Sequence, residues 1–189
     1  ADEMIKRAEL VKKLGGKCIM VDIITSGFSA VQYLRKQNLG LIIHGHRAGH
    51  SAFTKKKDWG ISMLVIAKLA RLAGIDELHT GTVVGKMEGT KEEVITTNNF
   101  LKSKFGKLKP VLPVASGGLH PGLVPDLLRI LGKDLIVNFG GGLHGHPKGS
   151  VWGAKAAYQA IEAATNNISL EKFAKNHREL DIALKHWKK

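Results

Sequence analysis

The sequence predicts an α/β fold built on a parallel sheet, and three observations predict it. Helix-period segments and short apolar runs alternate about five times along 189 residues. That alternation argues for parallel strands joined by helical crossovers, in a sheet with both faces covered. Polar residues gather directly after the apolar runs, in "DIITSG", "HGHRAGH", "HTGTVVGKMEG", "ASGGLHPG" and "FGGGLHGHP". The loops that follow the helices ("GGK", "NLG", "AGID", "LKP", "GKD") are short and plain. Functional groups in α/β proteins collect at the carboxyl ends of strands, so this asymmetry marks the working edge. Finally, no repeat, low-complexity tract or linker interrupts the pattern, which reads as one domain.

Each element follows from local chemistry. "EMIKRAELVKKLGG" places Met4, Ala8 and Val11 on one helical face and stops at Gly15 and Gly16. "KCIMVDI" reads as a buried strand. "SAVQYLRKQNLG" reads as a helix capped by Ser29 and ended at Gly40. "LGLIIHGH" is a strand and "WGISMLVIAKLARLAG" a strongly apolar helix. The short strand "DELHTG" follows, then a helix opened by a capping box, Thr90 and Glu93. "PVLPVAS" is a strand, and "PGLVPDLLRILG" a helix with Pro121 near its first position and Gly132 at its end. "DLIVNF" is the last clear strand. "SVWGAKAAYQAIEAAT" is a helix, and "SLEKFAKNHRELDIALKHWKK" holds one or two more.

Composition narrows the class. Hydrophobic residues make up 43% of the chain, a globular proportion. No apolar run approaches the roughly 20 residues of a membrane span, and the charged start "ADEMIKRAEL" does not read as a secretory signal. The single cysteine, Cys18, cannot close an intrachain disulfide, which suits the cytoplasm. Its apolar surroundings predict a small buried core residue. The formal charge of +13 invites an acidic partner. The lysines are scattered and aromatic residues are few, so a solvated surface, or one facing an acidic partner subunit, is favoured over nucleic-acid binding.

The chemistry-bearing residues lie on the working edge. "ASGGLHPG" and "FGGGLHGHP" bring unobstructed backbone N–H groups to helix starts, a geometry that binds phosphate. Gly140, Gly142 and Gly145 formally fit a dinucleotide fingerprint, but on the last clear strand and without the acidic residue it requires. "GTVVGKMEG" resembles a nucleotide P-loop one residue short, with Met87 where a Ser or Thr belongs. Lys86 lies in a glycine-flanked loop and suits a lid that closes on negative charge. His44 and His46 share a strand face; His46 converges with His79 if their strands are neighbours. His50 lies beyond Arg47 on the following loop. A zinc site is disfavoured, because there is no H-E-x-x-H, no cysteine partner to these histidines, and Arg47 repels a cation. Proton transfer by His beside an Arg anion clamp fits better. Asp22, ending its strand, reads as a hydrogen-bond partner of a neighbouring loop rather than a ligand.

Taken together, "HGHRAGH", "LHTGTVVGKMEG", "LPVASGGLHPG" and "FGGGLHGHP", in this order, resemble the large subunit of ribulose-1,5-bisphosphate carboxylase/oxygenase (RuBisCO), in its archaeal form III or II/III type. The resemblance runs over essentially the whole chain. It implies a (β/α)8 TIM barrel, incomplete here, with about the last five βα units from the third helix onward. Residues 1–166 would be the C-terminal part of the catalytic barrel and residues 167–189 a helical extension packed on it. It implies carboxylation of ribulose bisphosphate by CO₂ to two 3-phosphoglycerates. His46 would be a proton acceptor, and Lys86 the residue closing over the substrate in the transition state. Arg47 and His79 would hold one phosphate, and Ser116 the sugar. Gly117, Gly118, Gly140 and Gly141 would cradle the other phosphate, with His50 in support. The cofactor would be Mg²⁺, held by carboxylates and a carbamylated lysine of an N-terminal part that this chain does not carry. No metal ligand is expected in this chain, the carboxylates that work with the histidines are expected outside it, and alone it is expected to be inactive. Further partners would be that N-terminal part and further subunits in a homodimer or higher oligomer, without membrane. A RuBisCO-like enolase or isomerase acting on a phosphorylated sugar, and a non-catalytic basic binding domain, remain open alternatives.

Overall fold

A computed structural model describes residues 1–56, 58–85 and 89–188. The elements run α1 (Asp2–Lys13), β1 (Cys18–Asp22), α2 (Ile23–Ser26), α3 (Phe28–Lys36), β2 (Ile42–His46), α4 (Ser51–Thr54), α5 (Met63–Ala73) and β3 (Glu77–His79). They continue with α6 (Lys91–Lys102), β4 (Leu112–Ser116), a 3-10 turn (Pro121–Leu123), α7 (Val124–Leu131), β5 (Ile136–Asn138), α8 (Gly141–His144), α9 (Ser150–Thr165), α10 (Leu170–Ala174) and α11 (Arg178–Trp187). The strand order is the chain order, β1-β2-β3-β4-β5. β1 to β4 are parallel neighbours. This is the arrangement of a (β/α)8 barrel segment. The chain divides into two compact units, Ala1–Thr80 with Glu92–Val114, and Gly81–Lys91 with Ala115–Lys189.

In the first unit the register fixes which residues share a face. Met20 pairs with His44, His44 with Glu77, and Asp22 with His46. With side chains alternating along each strand, Cys18, Met20, Asp22, Ile42, His44, His46, Glu77 and His79 point one way. Val21, Ile43 and Leu78 point the other way and form the core with Ala8 of α1, Val31 and Leu34 of α3, and Ile66, Ala67 and Ala70 of α5. Burying each of the larger of these side chains contributes about 1.5–3 kcal/mol. Gly45 fits closely between strands: a Cβ there would sit 3.1 Å from the Glu77 carbonyl and 3.2 Å from Leu78, so a larger residue would press on β3.

Four local expectations are corrected. The sheet of this unit is covered by helices on one face; on the other, Met20 and Ile42 are exposed. Cys18 lies on that same face and is exposed rather than buried in the core. Ser29 does not cap α3; it is the helix's second residue, and Gly27, at φ +80°, is the cap. The turn before it, α2, is itself helical, so the break falls at the residue that tolerates positive φ. α5 starts at Met63, later than its apolar pattern suggests, where Ser62 accepts a hydrogen bond from the Val65 N–H.

Arg71 of α5 is fully buried, and its guanidinium donates to the carbonyls of Phe100 (2.9 Å), Ser103 (2.8 Å), Lys109 (3.0 Å) and Leu108 (3.3 Å). It thereby ties the end of α6 and the chain leading to β4 onto α5. Arg35 donates to Gly74 O (2.6 Å) and pairs with Asp76, which also accepts the Ile43 N–H (2.8 Å).

In the second unit Val124 of α7 packs with Ala160 and Ala163 of α9, Leu170 and Ala174 of α10, and Leu180 of α11. The small residues of α9 let the helices approach closely: a Cβ on Gly153 would fall 1.9 Å from the Leu143 carbonyl. Among the described residues no helix is long and apolar enough to cross a membrane.

Candidate functional site

The first unit gathers three imidazoles and two carboxylates at and just below the carboxyl ends of β1, β2 and β3. Asp22 Oδ1 lies 2.5 Å from His46 Nδ1. Glu77 Oε2 lies 2.5 Å from His44 Nδ1. The His44 and His79 Nε2 atoms are 2.6 Å apart, so one proton serves both nitrogens. The His79 ring meets His46 and His44 edge-on, each at 4.7 Å between centroids. His46 and His79 therefore converge, as their positions on the strands predict. The carboxylates expected to lie outside the chain are partly within it, since Asp22 and Glu77 each hold a histidine. Asp22 serves the neighbouring strand end, His46, and not a loop.

The electrostatics assign roles within the row. His79 is 3% exposed. Burial, then the nearby His44, His46 and Arg47, push its pKa down to about 4, against a smaller opposing pull from Asp22. It is neutral at pH 7, a hydrogen-bonding group and not a charge. His46 donates its Nδ1 proton to Asp22, which leaves Nε2 as the basic nitrogen. Arg47, half-buried, follows directly and carries the permanent positive charge. His50 is turned to Thr54, Nδ1 to Oγ1 at 2.9 Å, and so braces the loop after β2.

The second unit contributes the glycines. Ser116 ends β4, half-buried, and Gly117 and Gly118 follow at φ +114° and +62°, both exposed. Gly140 precedes α8 and Gly141 opens it; both are exposed, with open space where a Cβ would be. The two glycine loops touch: a Cβ on Gly142 would sit 1.9 Å from the Leu119 carbonyl, so only glycine fits there. The turn after β3 is fixed by Thr82, whose hydroxyl donates to Val84 O at 2.6 Å and accepts the Val84 N–H. Lys86 lies outside the described residues, as do Met87 and Glu88.

Sequence reasoning missed Glu77 and the thiol beside it. Cys18, His44 and Glu77 each offer one ligand atom, all within 4.8 Å of one another, a group of the kind that holds a metal ion. The signal was present: Glu77 stands two residues before His79, as His44 does before His46, so each pair shares a face.

Parallel βα units with polar side chains and bare glycine backbones at the carboxyl ends of the strands define a catalytic segment of a (β/α)8 barrel. The family follows from residues 1–187, which match the profile described as "Ribulose bisphosphate carboxylase large chain, catalytic domain". The chain belongs to that family. It is 55% identical to ribulose bisphosphate carboxylase of Pyrococcus furiosus, over 98% of this chain and 45% of that protein. The octameric enzyme of Pyrococcus horikoshii superposes with a TM-score of 0.94 at 52% identity, over 97% of this chain and 44% of the other. The dimeric archaeal Rubisco of Hyperthermus butylicus gives 0.90 at 43% identity, over 98% and 47%. The chain thus spans about half the length of the relatives it matches, their C-terminal part.

Proposed function

We propose that this chain supplies the substrate-side groups of a ribulose-1,5-bisphosphate carboxylase, converting ribulose bisphosphate and CO₂ to two 3-phosphoglycerates in a cytoplasmic homodimer or higher oligomer. The observation that carries the reading is the Asp22–His46 pair at the strand ends beside Arg47. His46, oriented by Asp22, accepts and returns protons at Nε2. Arg47 clamps one phosphate through charge-assisted bonds, and neutral His79 adds a directional hydrogen bond to it. Ser116 orients the sugar. Gly117, Gly118, Gly140 and Gly141 present backbone N–H groups to the second phosphate. Lys86 closes on the developing charge. Residues 1–166 form the barrel portion and 167–189, with α10 and α11, the helical extension.

Mg²⁺ requires oxygen ligands in near-octahedral array. The described carboxylates near the strand ends do not fit it: Asp22 is paired to His46, Glu77 to His44 and Asp76 to Arg35. The metal chemistry of this family is therefore assigned to ligands outside this chain, including a carbamylated lysine, and no step here runs through it.

Radiolabelled CO₂ fixation by the intact protein tests the reading. Arg47→Ala should weaken ribulose bisphosphate binding by the roughly 1.5–3 kcal/mol of a charged hydrogen bond. Unchanged bisphosphate affinity in that variant, or fixation at the full rate by His46→Gln, would refute it.

A further inference from the structure

The sheet face that carries the histidines also carries a thiol. Cys18 opens β1, His44 sits in β2 and Glu77 opens β3, on three adjacent parallel strands with their side chains on one face. The Cys18 Sγ, a His44 ring nitrogen and a Glu77 carboxylate oxygen all lie within 4.8 Å of one another. We propose that Cys18, His44 and Glu77 form a binding site for a borderline-soft divalent transition cation of the Zn²⁺ type.

The donor set selects the ion. Thiolate, imidazole and carboxylate together suit Zn²⁺ or Co²⁺ and disfavour Mg²⁺, which takes oxygen alone. Three protein ligands leave the fourth tetrahedral position to water. Bonds of about 2.0–2.3 Å place tetrahedral ligand atoms about 3.5 Å from one another, so the Cys18 thiol must close by about 1 Å, while His44 Nδ1 and Glu77 Oε2, now 2.5 Å apart, must open by about 1 Å. Rotation of the Cys18 side chain supplies that closure. It is exposed, and its thiol makes a weak 4.0 Å contact with the Ile19 carbonyl.

The surroundings are those of a ligating histidine. His44 meets the ion through Nδ1, the nitrogen now facing Glu77 at 2.5 Å. The cation displaces the proton held between them, and that proton and the Cys18 thiol proton both leave to solvent. His44 keeps a proton on Nε2, which points at His79 Nε2 at 2.6 Å. A metal-bound imidazole commonly donates its other N–H to a fixed acceptor, which sets ring orientation and tautomer. His79 is that acceptor.

The test uses the intact protein in its native assembly, stripped by chelator and titrated with Co²⁺ in excess Mg²⁺. One Co²⁺ per chain should bind, with a thiolate-to-cobalt charge-transfer band in the near ultraviolet and the strong visible bands of tetrahedral cobalt, and Zn²⁺ should displace it. Cys18→Ser should abolish the charge-transfer band and weaken Zn²⁺ binding by about tenfold or more; Glu77→Gln should weaken binding to a similar extent and keep the band. In the unmodified protein, Zn²⁺ should protect Cys18 from alkylation, read by mass spectrometry, which requires no variant to fold. No charge-transfer band, no protection of Cys18, or Zn²⁺ bound as tightly by Cys18→Ser would each overturn the site. None of these readouts depends on carboxylation.

Discussion

In the intact enzyme, Asp22→Asn should separate catalysis from stability. The Asp22 carboxylate lies 2.5 Å from His46 Nδ1 and holds the proton there, so that Nε2 is the base. An asparagine amide nitrogen in that place donates, which forces the proton onto Nε2. With its oxygen turned inward instead, the tautomer survives, but the negative charge that stabilises a protonated His46 is gone. Either arrangement weakens the base. A positioned general base contributes about 10²–10⁴ in rate, or about 2.7–5.5 kcal/mol of barrier. The folding cost is far smaller, because the two side chains keep 37% and 44% of their accessible surface. Exposed ion pairs of this kind contribute about 0.2–1 kcal/mol. Steady-state CO₂ fixation should therefore show kcat lower by about a hundredfold or more, with little change in the KM for ribulose bisphosphate. The melting temperature should fall by less than about 4 °C. A kcat close to that of the unmodified enzyme would show that Asp22 does not set the state of His46. A fall in kcat matched by a collapse in melting temperature would reduce the pair to a structural brace.

Two further outcomes follow from the first unit's geometry. His79 titrates at about 4 in the folded chain against an ordinary 6.5, so its stabilising contribution is full above pH 6.5 and is lost as pH falls towards 4. At about 1.36 kcal/mol per pH unit this is worth roughly 3 kcal/mol, and urea unfolding of chelator-treated protein should show that slope in the unmodified chain and lack it in His79→Asn; equal slopes would refute the assignment. Arg71→Met should lower stability by about 1–3 kcal/mol by removing the buried guanidinium's hydrogen bonds to four carbonyls between Phe100 and Lys109, and thermal unfolding indistinguishable from the unmodified protein would count against that role.

The elements were legible because each apolar run is short and bounded by glycine or a charged loop, and each helix keeps its own period. What was not legible was which face of a strand is covered. "CIMVD" is apolar at four of five positions, and composition alone predicts a strand buried on both sides. In the structure Val21 is buried while Cys18 and Met20 of the same strand are exposed. The carboxylate partners were hidden for a related reason. Asp22 lies 24 residues from His46, and Glu77 lies 33 residues from His44. Neither pairing follows from local spacing; each follows from the register of adjacent parallel strands. Arg71 was hidden inside an apolar helix, where its carbonyl partners, Phe100 to Lys109, form the turn between α6 and β4.

The register also explains why the histidine row behaves as a unit. Asp22 pins one nitrogen of His46, Glu77 pins one nitrogen of His44, and His44 and His79 share a proton between their Nε2 atoms. Three of the four ring nitrogens of His44 and His46 are fixed by partners on the adjacent strands β1 and β3; the His79 Nε2 is fixed in turn by His44. Changing the charge at Glu77 therefore changes which nitrogen of His44 carries the proton, and with it whether His79 Nε2 donates or accepts. His79 is the residue assigned to a substrate phosphate, while Glu77 sits at the start of its strand, away from that edge. A carboxylate one turn of the pleat below the working edge thus sets the hydrogen-bonding sense of a residue on it, through a single imidazole and without any movement of the backbone.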